Sequence, residues 1–169
     1  MTNPQQGRLR DEVRLIPASD CFHIETRQFI PHPPHTVFTF FEDPGNLSQI
    51  TPDWLHFRLL DGQDTAMSLD ARFRYRLTWL GIPIRWHTRI TGYDPPVFFE
   101  DTQEQGPYQL WQHQHRFREA DGGTWVEDVV RYRLPFGPLG ELAHAAIVRT
   151  QLERIFLFRA EQVAAHFQG

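Results

Sequence analysis

From Phe136 to Gly169 the chain reads FGPLGELAHAAIVRTQLERIFLFRAEQVAAHFQG, with Leu142, Ala146, Arg149, Leu152, Phe156, Arg159, Val163 and Phe167 at steps of three and four. That period predicts a single helix of about 30 residues, roughly 40 Å long at 1.5 Å per residue. A helix of that length, with Leu139, Leu142, Ile147, Ile155, Phe156 and Phe167 to bury, requires a broad apolar partner surface. A curved antiparallel sheet supplies one, and the sequence upstream is patterned to build it. The expected class is therefore α+β, with the helices segregated to one face of the sheet.

Strand patterning begins at CFHIETRQFI, where Phe22, Ile24 and Thr26 alternate with His23, Glu25 and Arg27. In PHPPHTVFTFFEDPGNL, prolines stand at a helix start, Val37, Phe38, Phe40 and Phe41 follow near helical spacing, and Asp43-Pro44-Gly45 stops the helix. A second short helix is expected over 46–51. Further strands are expected near 54–60, 70–79, 82–93, 97–104, 108–118 and 124–134, separated by Asp61-Gly62, Leu80-Gly81, Asp94-Pro95-Pro96, Gly106-Pro107 and Asp121-Gly122-Gly123. With the first, these make seven antiparallel strands. Residues 1–19 are polar without a period and are expected to be a flexible tail, leaving 20–169 as a single domain. A chain of 169 residues is long enough for one real core, burying roughly 70% of the surface it exposes when unfolded.

Period two sorts each strand into faces. Over 70–79, Phe73, Tyr75 and Trp79 share the inner face, against Arg72, Arg74 and Arg76. Over 82–93, Trp86 lies inside while Arg85 and Arg89 face water, and a solvated ladder of ion pairs with Glu100 and Glu127 is expected there. Phe99 and Asp101 share one face of the next strand. The stretch LWQHQHRF then puts Trp111, His113, His115 and Phe117 together, and on the last strand Asp128 lies in the row of Val126, Val130 and Tyr132. A hairpin turn at Asp121-Gly122-Gly123 sets His115 opposite Asp128 and His113 opposite Val130. A turn centred on Gly106-Pro107 is expected to set Trp111 opposite Asp101 and His113 opposite Phe99, with Asp101 diagonal to His113. An unpartnered buried charge is costly, so each aspartate is expected to accept from an imidazole or a Trp N–H.

Composition excludes several function classes. The net charge of −4 arises from mixed charges without a basic block, which gives no footprint for nucleic acid. Cys21 is the single cysteine and cannot form an internal disulfide. The first residues lack the apolar run of a signal peptide, and no window approaches the roughly 18 apolar residues of a membrane span. A cytoplasmic, reduced protein is expected. The 14 Phe, 5 Trp and 4 Tyr enclose large volumes with few residues, which suits a ligand pocket as well as a core.

Three segments carry a family likeness: IPHPPHTVFTFFEDPGNLSQITP over 30–52, YDPPVFFEDTQEQGPYQLWQHQHRF over 93–117, and YRLPFGPLG before the long helix. Over about 22–167 the chain resembles the SRPBCC superfamily, the helix-grip group of START lipid-transfer domains, plant pathogenesis-related allergens, polyketide cyclases and coenzyme Q-binding proteins. The resemblance implies a sheet wrapped around the C-terminal helix with a cavity between them. It does not by itself give a function, because this fold hosts carriers and enzymes alike.

The leading expectation is a protein that binds or carries a small hydrophobic or amphipathic ligand such as a lipid, an isoprenoid or quinone, or an aromatic polyketide-like molecule. Phe73, Tyr75, Trp79, Trp86, Phe99, Trp111, Val130 and Tyr132 would line the cavity, while Asp101, His113, His115 and Asp128 orient the polar end. The alternative is a cyclase or dehydratase in which His115, tuned by Asp128 and beside His113, is the general acid or base. No nucleophile elbow or Gly-rich phosphate loop supports other chemistry, and no cofactor is expected. The structural alternative is a filled core whose His–Asp pairs satisfy one another. His-x-His beside Asp128 also has the shared face a metal site needs, but that spacing next to an aspartate is expected to mean a hydrogen bond, and no metal is assigned. Exposure of Phe41, Leu47 or Ile50 near the cavity mouth would suit transient membrane contact during loading, with core packing the expected outcome. The sequence is silent on oligomeric state.

Overall fold

A computed structural model of the chain describes residues 12–17, 20–61 and 65–168. Strands β1 (Glu12–Pro17), β2 (Phe22–Ile30), β3 (Arg58–Asp61), β4 (Arg72–Trp79), β5 (Ile82–Asp94), β6 (Phe98–Gln105), β7 (Leu110–Ala120) and β8 (Gly123–Arg133) form one antiparallel sheet. Their order is β1-β2-β8-β7-β6-β5-β4-β3. Helix α1 (Pro34–Glu42) follows β2, and the C-terminal run comprises α2 (Pro138–Ala143), a π turn over His144–Val148 and α3 (Arg149–Gln168). This is the expected helix-grip α+β architecture.

The described strands number eight, one more than expected. Six residues of the segment assigned to a flexible tail, EVRLIP, pair with β2 and place Val13 and Leu15 half-buried beside the C-terminal helix. The alternation is too short and too strongly charged at its flanks to stand out, and β2 templates it. The rest of that segment, 1–11 and 18–19, lies outside the described residues. The second short helix is a 3-10 turn over Pro44–Ser48, where the Asp43 carboxylate caps the N–H of Gly45 at 2.8 Å. Another 3-10 turn over Asp53–Leu55 delays the following strand until Arg58.

Two register shifts in β5 bend the sheet, between His87 and Thr88 and between Ile90 and Gly92. Glycine leaves room for the Phe98 ring at the second, since a Cβ on Gly92 would lie 2.7 Å from that ring. On the outer face, Arg72 pairs with Glu104, Arg74 with Asp61 and Arg89 with Asp70. The expected partners serve elsewhere: Glu127 pairs with Arg27 and Arg118, and Glu100 accepts from Thr91 and Gln114. These exposed pairs contribute little to stability.

From Leu152 on, the C-terminal helix buries the expected Leu152, Phe156 and Val163, but its first turns bury a different stripe. Gly140, His144, Val148, Leu152, Phe156 and Ala160 face inward at steps of four, followed by Val163, while Leu139, Leu142 and Ile147 are exposed. Two contacts fix this rotation. A Cβ on Gly140 would lie 2.3 Å from the carbonyl oxygen of Pro135, so only glycine lets the helix start this close to the end of β8. The Tyr132 hydroxyl meets His144 Nε2 at 2.7 Å, with Phe22 stacked on that imidazole at 3.6 Å. Further along, Gln28 Nε2 donates to the carbonyl of Ala160 at 2.8 Å, tying β2 to α3.

Under α1 the core is aromatic. Phe38 is 2% exposed and meets Phe99 and Phe117 edge-on at 5.9 and 5.1 Å. Phe38→Ala is expected to lower unfolding stability by about 3–5 kcal/mol, read from urea denaturation, because the rings around it cannot collapse into the void.

Candidate functional site

The helix closes only one flank of the sheet. Val148, Leu152 and Phe156 pack on Ile24, Val130 and Tyr132 of β2 and β8, and α3 also contacts β1. Over β4–β7 the curved sheet falls away from the helix and leaves a cavity of about 510 Å³. That size is ordinary for a small-molecule site. One end lies under α1 and the 3-10 turns, at Phe41, Leu47 and Ile50, and the other lies between Pro107-Tyr108 and the start of the helix at Phe136 and Leu139. Phe136 and Leu139 are 80% and 73% exposed, so the apolar lining continues to the surface there. Phe41 and Ile50 are buried in the core and Leu47 packs against it, so none of the three is the exposed loading residue considered from sequence.

Of the residues assigned to the site from sequence, Phe73, Tyr75, Trp79, Trp86, Phe99, Asp101, Trp111, His113 and His115 line the cavity. Trp86 and Trp111 form one wall, ring to edge at 5.2 Å. Val130 and Tyr132 do not line it: both face the same side of the sheet, but β8 is the strand the helix covers. Asp128 also lies outside the lining, behind the two imidazoles.

Register explains the polar cluster. The β7–β8 pairing sets His115 opposite Asp128 and His113 opposite Val130, as the Asp121-Gly122-Gly123 turn predicts. The β6–β7 pairing differs by two residues from expectation, setting Asp101 opposite His113 and Phe99 opposite His115. Pro107 has no N–H to close a tight turn, and the Gln103 side chain instead donates to the Tyr108 carbonyl at 2.7 Å and accepts from its N–H at 3.4 Å, widening the loop. The shift brings Asp101 within reach of both imidazoles.

His113 and His115 lie with ring centroids 3.8 Å apart, and Phe99 stacks on His115 at 4.1 Å. Asp101 Oδ2 is 3.3 Å from His115 Nε2 and 3.8 Å from His113 Nδ1. On the opposite side, Asp128 Oδ1 is 2.7 Å from His115 Nδ1 and 3.3 Å from His113 Nε2. These close contacts are not well directed, so none of those three atoms has an aligned hydrogen bond among the described residues. Asp128 Oδ2 accepts from the Thr26 hydroxyl at 3.1 Å and faces Arg159 Nε at 3.8 Å. Arg159, Thr88 and Tyr108 line the cavity without having been assigned to it from sequence. For Arg159 a signal existed: a cation three residues after Phe156 on the inward side of the helix is as anomalous as Asp128 in its strand.

Electrostatics divides the two imidazoles. Burial alone would push His115 down, but the charge of Asp128 in close contact with the ring and the hydrogen bond to Asp101 outweigh it, and the net shift is upward. Burial and the neighbouring His115 push His113 down. Burial opposes ionisation of Asp128, yet His115, His113 and Arg159 hold it well below the usual carboxylate range. Burial, then Asp101, raises Tyr75, which stays a neutral phenol in the wall.

The raised His115 contributes stability that is complete below its unfolded value of 6.5 and is lost as pH rises through its folded value. The depressed His113 acts oppositely, costing stability as pH falls below 6.5, and Asp128 contributes stability lost only at strongly acid pH. Melting temperature is therefore expected to fall on both sides of roughly pH 6.5, and Asp128→Asn to flatten the alkaline side by removing the charge that raises His115. Calorimetry across about pH 4–9 checks both, with an unchanged alkaline limb in the variant as the contrary result.

The model of a family described as polyketide cyclase / dehydrase and lipid transport matches residues 30–156. No curated protein sequence matches the chain. Among solved structures, protein Ms6760 from Mycobacterium smegmatis is similar with a TM-score of 0.67 at 16% identity, covering 93% of this chain and 98% of that one. TTHA0849 from Thermus thermophilus gives 0.63 at 19% identity over 85% and 98%. The Zhui aromatase/cyclase from Streptomyces sp. R1128 gives 0.66 at 15% identity over 86% and 93%. At these identities the likeness speaks to the fold alone. The family match spans most of the sheet and the first half of the C-terminal helix, and the chain belongs to the polyketide cyclase / dehydrase and lipid-transport family.

Proposed function

We propose that this protein binds and carries one small amphipathic molecule with an extended apolar or aromatic body and one polar end. A single observation carries the reading: an apolar cavity of about 510 Å³ whose ionisable groups, Asp101, His113, His115 and Arg159, stand together at its β6–β7 floor and facing helix. The aromatic walls provide affinity without directional demand, whereas the polar cluster fixes orientation and selects for a head group. Its site of action is taken to be the cytoplasm, where the buried Cys21 thiol stays reduced.

Trp79, Trp86 and Trp111 line the cavity and report occupancy. Titration with a long-chain fatty acid, a prenylated quinone and a polycyclic phenol is expected to quench their fluorescence saturably for at least one of the three. His115→Ala is expected to weaken that ligand about tenfold, the equivalent of roughly 1.4 kcal/mol, while leaving a head-less hydrocarbon unaffected. Stranding Asp128 in the same variant costs about 1–3 kcal/mol of stability, so binding is compared where both proteins are folded. No quenching by any of the three, or an unchanged constant in the variant, counts against the reading.

A cyclase or dehydratase activity is favoured by one specific feature. Nε2 of His115 is the nitrogen that approaches the cavity-lining Asp101, and the imidazole is held toward its charged form, as a general acid at a carbonyl oxygen requires. If the protein turns over polyketide-like carbonyl compounds, His115→Gln is expected to lower kcat roughly 10²–10⁴-fold with little change in KM. A raised KM with kcat little changed would return His115 to an orienting role.

A further inference from the structure

Three side chains in the cavity floor have the composition and spacing of a metal-ligand set. Asp101, His113 and His115 each offer one donor atom, and those atoms lie within 4.8 Å of one another. The approaches to Asp101 Oδ2 are 3.3 Å from His115 Nε2 and 3.8 Å from His113 Nδ1. A zinc ion about 2.0–2.1 Å from each donor needs donors roughly 3.0–3.5 Å apart, so the two approaches to Asp101 are within a few tenths of an ångström of that spacing, and the two imidazole donors, within 4.8 Å of each other, close on the ion by turning. The carboxylate is Asp101, directly across β6–β7 from His113, rather than the Asp128 that the sequence pattern suggests.

Asp128 takes the supporting position. It stands behind both rings, against the nitrogens that do not approach Asp101, at 2.7 and 3.3 Å. Metal-bound imidazoles ordinarily place their second nitrogen against a carboxylate in this way, which fixes the tautomer and raises ligand basicity. Both imidazoles and Asp128 are more than nine-tenths buried, and His113 Nε2, His115 Nδ1 and Asp128 Oδ1 have no aligned hydrogen bond. A structural His–Asp pair has no reason to leave three buried polar atoms in close but misdirected contact, whereas rings free to turn toward an ion would align with Asp128 as they do so. Charge agrees. With neutral imidazoles the two carboxylates exceed Arg159 by one negative charge, and a divalent ion reverses that excess next to the cavity.

We propose that Asp101, His113 and His115 bind one divalent transition-metal ion, with Asp128 positioning both imidazoles and the open coordination positions facing the cavity. Such an ion holds an oxygen of whatever enters the cavity, a carboxylate, enolate or keto oxygen, and its binding does not depend on the ligand-carrier reading.

The test is calorimetric titration of the chelator-stripped protein with zinc, repeated with cobalt for its absorption spectrum. One ion per chain is expected. Asp101→Asn, His113→Ala and His115→Ala should each weaken zinc by about 100-fold or more, and Asp128→Asn by roughly 10–100-fold. Asp101→Asn preserves shape and keeps the test decisive if a histidine variant fails to fold, as judged by circular dichroism. A competing pair among the described residues is Cys21 Sγ and His23 Nε2, 3.3 Å apart. A cobalt spectrum without a thiolate charge-transfer band, unchanged by Cys21→Ser, is expected. Absence of saturable one-to-one uptake overturns the proposal. So does uptake indifferent to Asp101→Asn, or a thiolate band abolished by Cys21→Ser.

Discussion

Asp128 is a carboxylate buried where the sheet meets the long helix, and much of the structure can be read as the means of keeping it charged. Its two oxygens are shared among Thr26 of β2, His113 and His115 of β7 and Arg159 of α3, so one side chain ties β8 to two other strands and to the helix. Removing any one cation leaves an uncompensated buried charge, which costs far more than a lost surface pair. Because the imidazoles stand between Asp128 and Asp101, the same arrangement carries polarity through the sheet row from the covered strand β8 to the open strand β6. The protein thereby presents ionisable groups to a cavity whose walls are otherwise largely apolar.

That cavity is a consequence of unequal coverage. A helix of fixed direction can follow only part of a sheet bent by the two β5 register shifts, and glycine at 140 together with the Tyr132–His144 contact commits it to the β1-β2-β8 flank. The π turn over His144–Val148 lies at this anchor, where the wider turn accommodates the helix start over the end of β8. Most inward-facing side chains of β4–β7 then line a space, while Phe117 packs into the core with α1 and Val163. The structural alternative of a filled core fails for this reason, while holding for Val130 and Tyr132, which the helix does cover.

Much of this was legible in the sequence because period two is unambiguous when large aromatics alternate with arginine. Phe73, Tyr75, Trp86 and Trp111 line the cavity as their strands' parity requires. The β7–β8 register was legible too, since Gly122 and Gly123 mark a tight turn and leave little freedom. The β6–β7 register was not, because the Gln103 side chain takes over the role of turn hydrogen bonds, a substitution that no local pattern encodes. Strand β1 depends on β2 for its existence, and the buried stripe of the helix depends on the close approach of Gly140 to Pro135. Both are tertiary facts. Arg159 completes the polar cluster from the helix, and sequence spacing placed it on the right face without revealing that it faces a carboxylate.

The central claim is that the space between helix and sheet is a site for a small molecule with a polar end. Native mass spectrometry of the protein as purified, followed by denaturing extraction of any bound species, tests it most directly. A single stoichiometric species with an apolar body and an oxygen-bearing head group is predicted, either retained from the host or taken up on incubation with lipid, quinone and polycyclic phenol extracts. A chain that flies at its unliganded mass under both conditions, and releases nothing on denaturation, would contradict the claim.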